Sequence, residues 1–143
     1  MNLARLVASG LGCGFLPRAP GTWGSLAALA MGAALLALSP WALPAGVVAA
    51  TAAGLWAIPR AGGAADPGWV VIDEVAGMWL TMAPLPHPQP LGLAVAFAVF
   101  RVLDITKPGP IGLMDRQHGA VGVMGDDLVA GAAGAVIIWA LFA

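Results

Sequence analysis

The sequence predicts an all-α fold: a multihelical integral membrane protein with about five apolar helices and its polar residues gathered at the cytoplasmic face. Three observations carry this prediction. The chain is 60% hydrophobic and only 9% charged, where a soluble domain has about 25% charged residues. Its uncharged runs are long, from Arg18 to Arg60 and from Glu74 to Arg101. Proline-bearing breaks divide those runs into helix-sized pieces.

The first run splits at Ser39-Pro40 into apolar helices at residues 24–38 and 41–58. The second is broken by Pro84, Pro86, Pro88 and Pro90, giving helices at 69–83 and 91–103. A fifth runs from about residue 128 to 142. Residues 2–11 form a short helix, too weakly apolar to span. A perpendicular span needs about 20 residues, so some of the five are expected to enter only partway. A cleaved signal peptide is not expected, because further spans follow the first apolar run. One domain covering residues 1–143 is expected from this length.

Charge narrows the classes further. Six Lys+Arg and a net charge of −1 leave no basic surface for nucleic acid. The composition is the reverse of a disordered chain. Cys13 is the one cysteine, so no internal disulfide is available, and it is expected to pack. With a cytoplasmic N-terminus and five crossings, Arg5, Arg18, Arg60, Arg101, Lys107 and Arg116 all fall on the cytoplasmic side. The outer turns at 39–43 and 84–90 carry no Lys or Arg, as the positive-inside rule requires. The acids Asp66, Asp73, Glu74, Asp104, Asp115, Asp126 and Asp127 gather near the same face. On the apolar stretches, Gly77 and the set Ala130, Gly131, Gly134 and Ala135 suit close helix contact in lipid.

Four polar groups mark that face as the site. In Pro20-Gly21-Thr22-Trp23-Gly24-Ser25, Thr22 or Ser25 could cap the first apolar helix, and free N–H groups there suit a phosphate. The bland alternative is an ordinary cap beside an interfacial tryptophan. In Asp73-Glu74, two adjacent acids inside an apolar segment are costly unless used. Such a pair suits Mg²⁺ with a substrate phosphate, though acids also simply favour a helix N-terminus. Arg101, Asp104 and Lys107 recur every three residues and so share a side. Arg101 and Lys107 can bind a phosphate. Asp104 can serve as metal ligand, base or nucleophile, where the structural alternative is ion pairs worth a few tenths of a kcal/mol. Asp126 and Asp127 sit at the mouth of the last helix and extend the carboxylate cluster, although one could be a plain cap. His118 offers a proton donor, though a loop histidine is more often incidental. His87 falls in the outer turn and is set aside.

Carboxylates for a divalent cation beside cations for an anion fit phosphoryl transfer or hydrolysis. A membrane-surface site points to a lipid phosphate. These motifs resemble the phosphatidylglycerophosphatase A family of bacterial lipid phosphatases. The resemblance rests on five blocks in order: Ala19 to Ser25, Asp66-Pro67-Gly68, Ile72 to Trp79, Phe100 to Ile105 with Lys107-Pro108, and Asp126 to Gly131. They span most of the chain, and no single block is specific alone. One departure is Gly109, where the family commonly has tryptophan after Lys-Pro.

The resemblance implies Mg²⁺-dependent hydrolysis of phosphatidylglycerophosphate to phosphatidylglycerol and inorganic phosphate, in the bacterial inner membrane. By motif it carries the family's acids onto Asp73, Glu74, Asp104, Asp126 and Asp127. The expected roles are Asp73, Glu74, Asp126 and Asp127 for metal, and Arg101 and Lys107 for phosphate, with Thr22 and Ser25. Asp104 would orient or deprotonate the attacking water, with an aspartyl-phosphate as the rival mechanism. A phosphoalcohol transferase is the alternative enzyme, but no Asp-x-x-Asp-Gly occurs. An ion or proton carrier is disfavoured, because the acids do not form a path across the bilayer.

Overall fold

The computed structural model describes residues 2–62, 68–109 and 119–142. Among them every regular element is helical. The helices are α1 (Leu3–Ala8), α2 (Pro20–Leu38), α3 (Ala42–Arg60), α4 (Ile72–Met82), α5 (Pro90–Thr106) and α6 (Gly119–Phe142), with a 3₁₀ turn at Cys13–Phe15.

Proline and short polar residues set the boundaries. Pro20 opens α2 and Pro90 opens α5, each at a position where its missing N–H costs nothing. Between α2 and α3, Ser39 turns extended and its Oγ accepts from the Trp41 N–H at 3.1 Å. α5 ends where Lys107 adopts a left-handed φ of 48°. Pro108 follows and cannot continue the helix.

Among the described residues, three helices are long and apolar enough to cross a membrane: α2 and α3 with 19 residues each, and α6 with 24. In α2 and α3 only 28% of the spanning window is buried inside the protein. So much exposed apolar surface needs lipid against it. Where five embedded helices are expected, three of the described helices have spanning length. α4 has 11 residues and α5 has 17, short of a perpendicular crossing.

α4 sits at the centre and packs most extensively against α6, then against α3 and α2. The α4–α6 seam is built on glycine. A Cβ on Gly77 would lie 2.6 Å from the Asp127 carbonyl oxygen, and one on Gly131 would lie 2.6 Å from the Gly77 carbonyl oxygen. The two backbones therefore touch, as the small-residue spacing predicts. Thr81 Oγ1 donates to the Gly77 carbonyl at 3.0 Å, and to that of Gly131 at 3.4 Å. On the other side, Trp79 Nε1 donates to the Ala28 carbonyl at 2.8 Å and ties α4 to α2. α1 packs on α3, and the Val71 N–H reaches the Ala8 carbonyl at 2.9 Å.

Helix ends elsewhere shift by about three residues, as α4 starts at Ile72 and α5 ends at Thr106, and two larger differences move candidate site residues. α2 begins at Pro20, so Thr22 and Ser25 lie inside the helix and do not cap it. α6 begins at Gly119, so Asp126 and Asp127 stand about two turns inside it, not at its mouth. Three glycines between 119 and 125 lower local helix propensity. Packing against α4 overrides that preference, with Gly122, Val123 and Met124 buried.

Candidate active site

The first turns of α2 and α4, the last turns of α5 and the N-terminal half of α6 converge at one end of the bundle. Asp73 and Glu74 lie in the first turn of α4. Such a helix start favours acids through its free N–H groups. Arg101 and Asp104 lie one turn apart near the end of α5. Asp126 and Asp127 enter from α6. Asp73, Asp104, Asp126 and Asp127 are all buried.

The carboxylates form two overlapping groups. Asp73, Asp126 and Asp127 each offer an oxygen, with all three within 4.8 Å of one another. Glu74, Asp104 and Asp127 do the same. The basic side chains lie among them. Arg101 Nη1 donates to Asp104 Oδ2 at 2.6 Å, and Nη2 reaches Thr22 Oγ1 at 3.5 Å. Lys107 Nζ donates to Asp126 Oδ2 at 2.7 Å and stands 3.7 Å from Asp104 Oδ1. Burial works against the Lys107 charge. The carboxylates of Asp126 and Asp104 outweigh it and hold the ammonium above its ordinary pKa.

The sequence thus placed Arg101, Asp104 and Lys107 correctly on one side, and the fold adds Asp73, Glu74, Asp126, Asp127 and Thr22 to them. Ser25 is fully buried, and its hydroxyl donates to the Gly21 carbonyl at 2.8 Å. Asp66, Asp115, Arg116 and His118 lie outside the described residues. Gly21 was not singled out for the site. A Cβ there would lie 3.2 Å from Glu74 Oε1 and 3.5 Å from Arg101 Nη1. Its place between Pro20 and Thr22 was the available signal.

The donor set is all oxygen, and it includes buried atoms that no donor reaches. Glu74 Oε2 and Asp127 Oδ2 are buried and accept no hydrogen bond. Uncompensated buried carboxylate oxygens are costly, and oxygen-only clusters suit hard divalent cations. An arginine and a lysine in the same centre can meet an anion.

Such a centre, at one end of a bundle of membrane helices, defines the class: a membrane-embedded enzyme equipped for a phosphate ester. The family model for phosphatidylglycerophosphatase A matches residues 6–142, and the chain belongs to that family and so to the phosphatases. A phosphatidylglycerophosphatase A from Escherichia coli K12 is 40% identical over 96% of this chain and 83% of its own length. A second, from Haemophilus influenzae, is 32% identical over 99% of this chain and 90% of its own. A Bacteroides thetaiotaomicron protein with a provisional phosphatidylinositol-3-phosphatase name is 39% identical over 93% of this chain and 89% of its own. No solved structure matches the chain at a significant level.

Proposed function

We propose that this chain, as a single domain, is a Mg²⁺-dependent phosphatase that hydrolyses the terminal phosphate of phosphatidylglycerophosphate. The products are phosphatidylglycerol and inorganic phosphate. The observation that carries the reading is the meeting of five carboxylates, four of them buried, with Arg101 and Lys107. Family membership supports the substrate. The absence of Lys and Arg from residues 39–43 and 84–90 supports a site facing the cytoplasm across the inner membrane.

Asp73, Glu74, Asp126 and Asp127 would hold the cation. Bound there, Mg²⁺ neutralises charge on the phosphoryl oxygens. Arg101 keeps N–H groups beyond those turned to Asp104 and Thr22, and these bind the phosphate oxygens. Lys107 adds a fixed positive charge beside them. Asp104, held by Arg101, orients the attacking water and takes its proton. The new bond joins water oxygen to phosphorus, and the bond that breaks joins phosphorus to the glycerol oxygen. That oxygen then takes up the proton that Asp104 accepted and leaves as the alcohol, which restores the carboxylate. Gly21 leaves the space beside Glu74 and Arg101 open for the phosphate.

The test is phosphate release from phosphatidylglycerophosphate by the purified protein in detergent, with Mg²⁺, with a chelator, and with Asp104→Asn. Mg²⁺-dependent release that falls at least ~10²-fold in the variant is expected. No release by folded protein with Mg²⁺ overturns the reading. The name of the Bacteroides relative adds one arm, phosphatidylinositol 3-phosphate. Faster release from that lipid would move the substrate assignment to the phosphoinositides. Covalent phosphate trapped on Asp104 would replace the water attack by an aspartyl-phosphate.

A further inference from the structure

We propose that the carboxylate centre holds two divalent cations that share Asp127. The inference rests on the phosphatase reading and concerns how many cations that site takes. The two oxygen groups are distinct: Asp73 and Asp126 serve one, Glu74 and Asp104 the other, and only Asp127 belongs to both. Asp127 is 1% exposed, and its Oδ2 accepts no hydrogen bond. A buried carboxylate oxygen with no donor, on the residue that both groups share, points to a cation on Asp127.

The basic side chains are arranged around the outer members. Arg101 holds Asp104, and Lys107 reaches Asp126 and Asp104, one from each group. They orient the outer ligands as supporting partners do in metal sites. Charge points the same way. Among the described residues, five carboxylates face two basic groups, so three negative charges remain when all are ionised. One divalent cation leaves the centre negative, and a phosphate dianion would be repelled. Two cations leave it positive by one charge, and the phosphate is attracted. In this arrangement Asp104 is a ligand as well as the group that orients water.

The test is metal binding by the metal-stripped, detergent-purified protein, titrated with Mn²⁺ in the presence of inorganic phosphate. Calorimetry gives the number bound and electron paramagnetic resonance their coupling. Two Mn²⁺ per chain with a spin-coupled spectrum are expected, since paired catalytic metals lie about 3.5–4 Å apart. Asp126→Asn and Asp104→Asn should each keep one uncoupled Mn²⁺. That retained ion also shows that the variant is folded. One uncoupled Mn²⁺ in the unmodified protein overturns the inference, while Mg²⁺-dependent phosphate release keeps the phosphatase reading standing. Two uncoupled ions overturn the sharing of Asp127. No binding overturns both this inference and the metal part of the proposed function.

Discussion

α4 meets its neighbours differently on its two faces. Towards α6 it carries Asp73, Gly77 and Thr81, one turn apart, and the helix backbones meet at the glycines. Towards α2 and α3 it presents Ile72, Val75 and Trp79, which line an apolar cavity of about 330 Å³ with Gly24, Met31 and Ala53. The contrast follows from what each face holds. Lipid gives helices no hydrophobic reason to associate, so contact must come from close fit and hydrogen bonds. The face that carries charge needs that fit, because each carboxylate is placed by backbone that cannot shift. The apolar face carries no charge, and it leaves a cavity beside close contacts of its own, since a Cβ on Gly32 or Gly46 would lie 2.9 Å from Trp79.

The largest expected effect lies at the point the two carboxylate groups share. Asp127→Asn should lower phosphate release by ~10³-fold or more, about 4 kcal/mol in the barrier. The comparison assay is release per folded protein, judged by elution in detergent. Next comes the seam itself. Gly131→Val puts a branched side chain against the Gly77 carbonyl and should destabilise by about 3 kcal/mol. Thermal unfolding followed by tryptophan fluorescence reads this, and an unchanged midpoint would show that the seam is not tight.

Arg101→Lys keeps the charge but loses the fork that joins Asp104 and Thr22. A 10- to 100-fold loss of release is expected, roughly 1.4–2.7 kcal/mol. Equal rates for the two side chains would reduce Arg101 to a point charge. Trp79→Phe removes the hydrogen bond to the Ala28 carbonyl and should cost about 1 kcal/mol of stability. Ala53→Val, in the cavity lining, should change the unfolding midpoint least, within about 0.5 kcal/mol. A loss there as large as at Gly131 would erase the difference between the two faces.

Much of the site was legible before any fold was known. Arg101, Asp104 and Lys107 share a side by helical spacing alone, and the ion pairs to Asp104 bear this out. Gly77 and Gly131 were marked as small residues for close contact, and they meet. Gly21 was less legible. Its importance lies in what a Cβ there would meet at 3.2 Å, a glutamate more than fifty residues away. The start of α6 was misread because Gly119, Gly122 and Gly125 resemble a loop in isolation.

The sequence by itself determined the membrane class, through sparse charge and long apolar runs, and it named the acidic and basic residues that gather at one end of the bundle. Local chemistry decides these, so they can be read residue by residue. Only the tertiary structure decided that Asp126 and Asp127 stand inside α6, and that Asp127 joins two carboxylate groups from α4 and α5. Those relations depend on how closely α4 and α6 approach. That approach is set by glycine backbones in contact across the seam, a distance that no run of neighbouring residues encodes.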